Sequence, residues 1–258
     1  MDFTPIYNSL FSTLVYLIPL ALLAALVKLP WFKGACGEFL VNLLLKIFLP
    51  KEKYHLIKDI TLPTEGGTTQ IDHIVVSKYG VFVIETKNMK GWIFGSANQK
   101  YWTQKIYKHS SKFQNPIHQN YKHLKTLEGC LNINPESLFS VIVFVGDSTF
   151  KTEIPENVTY AHGCIRYIKS KKTELLSQQQ VEEVISTIES GRLRPSIKTN
   201  RAHVANVKDI VQSKRNHKAC PKCGSDMVVR EAKKGNNIGN KFWGCSSFPQ
   251  CRAVVKLS

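Results

Sequence analysis

The chain has 258 residues, enough for one medium catalytic domain and a small accessory module but not for a multi-domain machine. Hydrophobic residues at 43% and charged residues at 21% exclude wholesale disorder. With 35 Lys and Arg against 19 Asp and Glu, the formal charge of +16 calls for an anionic partner, either nucleic acid or an acidic lipid surface.

From Phe3 to Val27 the chain carries no charge over 25 residues. As a helix that run is long enough for a hydrocarbon core of about 30 Å. Pro19 inside it is better tolerated in a membrane than in a soluble helix. A cleavable signal peptide would have Lys or Arg ahead of the apolar run; here Asp2 precedes it, and Lys28 and Lys33 follow. A buried core helix is the alternative, but core helices seldom run this far uncharged. The reading is a single-pass anchor over 1–33 in the cell (inner) membrane, with the positive flank placing the main domains on the cytoplasmic side.

The chain then reads as a helix from Gly34 to Leu49, ended by Pro50 and apolar on nearly every side, with Glu38 its one acid. That carboxylate is either a solvated edge residue or a site residue whose burial needs a cation. Next come strand patterns: YHLIKDITLP, a turn at Glu65-Gly66-Gly67, then TTQIDHIVVSKYGVFVIETKN as a hairpin. A two-residue loop at Lys78-Tyr79, or four residues over Ser77–Gly80, pairs residues whose numbers sum to 157 and sets Asp72 opposite Glu85. A loop at Tyr79-Gly80 pairs Asp72 with Lys87 instead. Either even loop puts Asp72, Glu85 and Lys87 on one face, whereas a three-residue loop separates them.

Opposed carboxylates repel on a plain hairpin but become favourable around a hard divalent cation. Mg²⁺ held by Asp72 and Glu85, with Lys87 beside it to hold water and offset phosphate charge, is the chemistry this spacing offers. The competing reading is a solvated strand face; against it, these residues interrupt the apolar strands IDHIVV and VFVIETK.

Asn115-Pro116 starts a helix running to about Leu131. SVIVFVG (140–146) is a continuous apolar strand, as in a sheet covered on both faces. Ser177 with Gln180 forms a capping box for a helix with a Val181, Val184, Ile185, Ile188 stripe, closed by Gly191. Trp92 and Trp102 are expected to pack the sheet edge. His73, His118 and His123 read as structural groups near the site rather than as catalysts. Cys36, Cys130 and Cys164 read as ordinary buried residues.

Cys220-x2-Cys223, 21 intervening residues and Cys245-x5-Cys251 can set four thiolates around one structural Zn²⁺, with Gly224 and Gly244 in the knuckle turns. From Lys214 to Ser258 there are ten basic and two acidic residues. Lys241 and Arg252 can track phosphates while Phe242, Trp243 and Phe248 stack on unpaired bases. Equally, Phe242 or Trp243 can fill the small core beside the metal. The run FWGCSSFPQC resembles the C-terminal zinc fingers of type IA DNA topoisomerases, which implies DNA contact.

GEFLVNLLL, IDHIVVSKYGVFVIETKNMKGWIFG and FQNPIHQNYKHLKTL resemble the nuclease-related domain (NERD) family over roughly 34–150, a family similar to the PD-(D/E)-x-K endonucleases. The resemblance implies a restriction-endonuclease-like α/β fold, a mixed sheet flanked by helices. It further implies Asp72 and Glu85 as metal-binding acids, Lys87 as the catalytic lysine, Glu38 as the helical acid of the first motif, and Gln119 as a polar residue orienting water or phosphate. Ile71 stands where the superfamily label has Pro.

The expected organisation is thus an anchor (1–33), a nuclease-like domain (34–191), a basic linker (192–218) and a zinc finger (219–258). The expected function is a membrane-anchored, Mg²⁺-dependent nuclease acting on DNA, with no small-molecule cofactor. A non-catalytic nucleic-acid-binding or membrane-scaffolding protein of the same fold is the alternative.

Overall fold

The structure is a computed structural model that describes residues 4–64, 67–193, 218–232 and 239–256. The chain divides into two compact units, Met1–Pro195 and Ser196–Ser258. The expected linker with its Val204, Val207, Val211 pattern falls, from residue 194 to 217, outside the described residues.

The first unit opens with two helices, α1 (Thr4–Lys28) and α2 (Pro30–Phe48). The second begins at Pro30, earlier than the expected Gly34, because proline suits the first helical turn. Among the described residues no single helix is long and apolar enough to cross a membrane. Thr13–Lys28 and Pro30–Phe48 meet that measure together, bent by 72°.

A five-stranded sheet follows, in spatial order β1 (His55–Thr64), β2 (Gly67–Ser77), β3 (Gly80–Asn88), β7 (Leu138–Val145), β9 (Val158–Tyr160). The first three strands are antiparallel; β3, β7 and β9 run parallel. A parallel return needs a crossover, and α3 (Pro116–Cys130) supplies it between β3 and β7. One face of the sheet is covered by α3 and α5 (Gln178–Gly191), with Ile74, Val81, Val83, Leu127, Val184 and Ile188 packed between them. The other face is covered by α2 and α4 (Ala161–Ser170), through Val41, Leu45, Val75, Phe82, Val141 and Ile168. Burial on both faces explains why β7 reads as an unbroken apolar run.

A second sheet, β6 (His109–Gln114), β5 (Tyr101–Ile106), β4 (Gly91–Phe94), β8 (Ser148–Phe150), has no counterpart in the sequence reading. Its polar outer strand, HSSKFQ, lacks the apolar alternation by which strands are recognised. Trp102 is fully buried here, stacked on Phe144 with Phe113 and Phe150 edge-on, rather than lying at a sheet edge. Trp92 is 48% exposed, with Lys105 and Lys151 over its ring. Trp102→Ala is expected to cost about 3–5 kcal/mol, read as a lower urea midpoint, since the lost ring leaves a cavity and removes one of the two donors to the Ser96 carbonyl.

Several smaller expectations are corrected. Gly191 is the last residue of α5, and the chain leaves through an extended Arg192 rather than a left-handed glycine. Of the three scattered cysteines only Cys164 is buried; Cys36 and Cys130 end on outward-facing turns of their helices and are exposed.

Candidate functional site

The hairpin turn sets the site. Ser77 pairs with Gly80, leaving Lys78-Tyr79 as a two-residue loop, and the ladder runs back to His73 opposite Ile84. Gly80 has φ +130, and a Cβ there would meet the Ser137 carbonyl at 2.6 Å, so glycine is required. The register sum is 157, and the paired ladder ends one step short of Asp72 and Glu85.

At Asp72 the strand departs from period-two alternation. Ile57 and Ile60 on β1, and Ile71 and Ile74 on β2, are three apart yet share one core layer. Strict alternation cannot do this; both strands slip by one side chain between them. The slip falls at Asp59, whose φ is +52, in register with Asp72 between the Lys58–His73 and Ile60–Ile71 pairs. The kink turns the Asp72 carboxylate onto β3, where Oδ2 accepts the Thr86 N–H at 2.7 Å.

Helix α3 supplies the other wall. Asn115 caps it by accepting the Ile117 N–H, while its own amide donates to the carbonyls of Ser96, Ala97 and Gln99. Buried Asn120 donates to the Val83 carbonyl and to Ser140 Oγ, clamping the helix across β3 and β7. Fixed in this way, α3 aims Gln119 and His123, four residues apart and so on one face, at Glu85.

Glu85 is 3% exposed and surrounded. Its Oε1 accepts from Lys87 Nζ at 2.6 Å and from Gln119 Nε2 at 2.7 Å, and Lys87 Nζ also donates to Gln119 Oε1 at 2.9 Å. Its Oε2 lies 3.3 Å from His123 Nε2, and neither atom has a well-formed hydrogen bond. His123 Nδ1 meets Thr69 Oγ1 at 2.7 Å. The sequence reading set His123 aside and missed Thr69, Asn120 and Asp59. The buried stripe Pro116, Asn120, His123, Leu127 carries the signal, because a polar side chain repeated on a buried helix face needs a partner.

The carboxyls respond in opposite directions. Burial pushes Glu85 up, but the close approach of His123 and the charge and hydrogen bond of Lys87 outweigh it and hold the carboxyl below its ordinary value. Asp72 is pushed well above the ordinary range, by burial first and then by the charge of Glu85, against the Thr86 N–H. Glu38, partly buried on α2, is raised by burial, then by Asp59 and Glu85. Glu38, Asp72 and Glu85 thus share one electrostatic neighbourhood with Lys87. Burial and Lys58 lower His73 to about 4, which keeps it neutral; His118 is half-buried on α3.

Hard oxygens, a strained carboxyl pair and an orphaned Glu85 oxygen fit a divalent cation of the Mg²⁺ class. Among the described residues, however, the four cysteines are the one group of three or more potential ligands whose donor atoms lie within 4.8 Å of one another.

A stability prediction follows from Asp72. A carboxyl whose pKa rises on folding detracts nothing while both states are protonated. It removes stability as pH climbs from the ordinary carboxylate range through the raised value. At neutral pH without metal, Asp72→Asn keeps an acceptor for Thr86 N–H and is expected to raise the melting temperature. The gain is about 1.4 kcal/mol for each unit by which folding moves the titration. Thermal unfolding across pH checks it; the gain should vanish in acid.

The second unit contains a four-stranded antiparallel sheet, β10 (Lys218–Ala219), β11 (Asp226–Glu231), β12 (Lys241–Cys245), β13 (Val254–Lys256). Cys220 and Cys251 sulfurs lie 3.6 Å apart, and those of Cys223 and Cys245 lie 3.4 Å apart. Four thiolates around Zn²⁺ at about 2.3 Å stand about 3.8 Å from one another, so these are tetrahedral-site spacings, not disulfides. Gly224 has the expected left-handed φ of +76. Gly244 instead sits within β12, where the Arg230 side chain lies 3.0 Å from the position of a Cβ.

Alternation along β12 decides the aromatics. Trp243 packs with Cys220, Met227, Cys245 and Cys251. Phe242 faces the other way, into a groove of about 760 Å³ with Arg230, Phe248 and Arg252. Phe248 is 56% exposed, and the Arg230 guanidinium lies 5.5 Å from its ring centre. Lys241 is exposed at the start of β12.

Comparison with known proteins finds a matching family model for a segment of each unit. Residues 33–145 match the family model described as nuclease-related domain, and residues 217–258 match topoisomerase DNA binding C4 zinc finger. The chain therefore joins a nuclease-related domain to a topoisomerase-type zinc ribbon, with four cysteines positioned to bind metal. An uncharacterized protein of Bacillus anthracis is 48% identical over 123 residues, covering 44% of this chain and 58% of that protein. The uncharacterized protein YrdD of Escherichia coli (strain K12) is 44% identical over 43 residues, covering 17% of this chain and 21% of that one. The chain thus spans less than two thirds of either relative. No solved structure matches.

Proposed function

We propose that this protein is a membrane-anchored, Mg²⁺-dependent nuclease that hydrolyses DNA phosphodiester bonds, with the zinc ribbon holding the strand. The observation that carries the reading is the buried Glu85, held by Lys87, Gln119 and His123, beside an Asp72 carboxyl that burial and the Glu85 charge push well above the ordinary carboxylate range. Asp72 and Glu85 would hold the metal. Bound Mg²⁺ would supply Lewis-acid stabilisation of the charge that develops on the phosphate.

The chain's own groups account for the rest. Lys87 Nζ, a cation 22% exposed at the rim, can turn from Glu85 to a phosphoryl oxygen or to the attacking water. Gln119 presents both a donor and an acceptor and can orient that water. Glu38 adds negative charge from α2. In the ribbon, Arg230 and Arg252 offer charge to phosphates, and Phe248 offers an open ring face for a base. The DNA-binding description of the matched zinc finger favours DNA as the polymer.

The anchor is α1. The reading rests on the uncharged run Phe3–Val27 that falls on it, and Phe11, Tyr16, Leu20 and Leu22 are exposed. Lys28 and Lys33 at its end favour a cytoplasmic, inner-membrane placement. The test is cleavage of labelled single- and double-stranded DNA by the full chain, with Mg²⁺ and with chelator. Metal-dependent cleavage that Asp72→Asn and Lys87→Ala remove, with DNA binding intact, supports the enzyme; equal behaviour of all three proteins assigns a non-catalytic binding role.

A further inference from the structure

Helix α2 carries two parallel stripes. Gly37, Val41 and Leu45 are buried against the sheet. Phe39, Leu43 and Ile47, two residues further along and so about 200° around the helix, face away from it and are 67%, 42% and 63% exposed. Leu40 and Phe48 flank the outer stripe, and Trp31 stands exposed where α2 begins. A soluble helix places polar residues on this side. Here the polar exposed positions are basic, Lys33 and Lys46 on the helix and Lys51 and Lys53 just beyond it, against a single exposed acid, Glu52. The other nearby carboxylate, Glu38, is partly buried toward the site.

We propose that the outer face of α2 lies in the headgroup region of an anionic bilayer, so that the nuclease-like domain rests flat on the membrane. The inference rests on the reading of α1 as a span. The 72° bend between Thr13–Lys28 and Pro30–Phe48 turns α2 from the direction of a crossing helix to nearly that of the surface. Its apolar face is then continuous with the exposed apolar surface of α1, with Trp31 at the interface and the lysines among anionic headgroups. A consequence is that Glu38, beside Phe39, puts the carboxylate cluster within a helix diameter of the lipid. The site would therefore meet nucleic acid close to the membrane plane.

The test places tryptophan on the face. The full chain carrying Phe39→Trp or Ile47→Trp is incorporated into vesicles of phosphatidylethanolamine and phosphatidylglycerol, with and without bromine on the upper acyl carbons. The emission added over the parent protein is compared. Quenching of the added emission by about half or more is expected at both positions, with none for Tyr107→Trp at the 94% exposed hairpin tip. Added emission that bromolipid leaves untouched, in protein that floats with the vesicles, overturns the proposal and leaves the anchor standing. If that emission is also shielded from aqueous acrylamide, a protein surface covers the stripe instead. Protein that does not float with the vesicles at all overturns the anchor reading as well.

Discussion

Asp72→Asn is expected to abolish metal-dependent cleavage, by about 100- to 10,000-fold, while making the metal-free protein more stable. The two effects have one cause. Asp72 sits beside the ionised Glu85 in a poorly solvated site, and both burial and that neighbour press its pKa upward. Removing the ionisable carboxyl relieves the fold and removes a proposed metal ligand together. A residue with a purely structural role would lose stability along with activity, so the opposite signs discriminate. Added Mg²⁺ should raise the melting temperature of the parent protein and leave that of Asp72→Asn almost unchanged. Lys87→Ala is the companion variant. Gln119 and His123 still hold the Glu85 carboxylate in it, and a similar loss of cleavage is expected with little change in DNA affinity. Glu85→Ala is less informative, because it leaves Lys87 and His123 facing a buried void, at about 3–5 kcal/mol. Activity measured beside thermal unfolding checks all three.

Stripping zinc, or replacing Cys245 by serine, is expected to unfold the ribbon and leave the first unit folded. The ribbon's core is Cys220, Cys245, Cys251 and Met227, with Trp243, Ala253 and Val255 only partly covered. So few apolar groups cannot offset the chain entropy of ordering the module. Zinc binding by such four-ligand modules is worth about 10–16 kcal/mol, and here it is the folding energy. The first unit has separate cores on both faces of its sheet and no share in the metal. Chelation should therefore red-shift and weaken Trp243 emission and lower affinity for single-stranded DNA, while the main unfolding transition stays in place. If one transition is lost for the whole chain, the two units are energetically coupled and this account fails.

Much of the candidate site was legible because it depends on local rules. Hairpin register follows from loop length, so Ser77-Lys78-Tyr79-Gly80 sufficed to set the β2–β3 pairing from Ser77–Gly80 to His73–Ile84. Four thiols at metal spacing identify their own partner, since other roles for four paired cysteines in a basic module are few. The capping box at Ser177 and the apolar β7 strand were equally readable. What escaped has a common physical character. The phase slip at Asp59 shows only as isoleucines three apart, at 57 and 60 and at 71 and 74, and an aspartate at left-handed φ looks like any exposed acid in a strand.

The amino-acid order by itself determined α2, α3, α5, the β2–β3 hairpin, the apolar β7 strand and the four clustered cysteines, since each is decided by residues near in sequence or by spacing along the chain. Only the tertiary structure decided that His123 and Gln119 close on Glu85, that Trp243 turns to the metal while Phe242 turns to the groove, and that Phe39, Leu43 and Ile47 are left uncovered. Those outcomes depend on which face of an element meets which neighbour. An apolar helix such as α2 offers every face alike until the sheet has taken one of them.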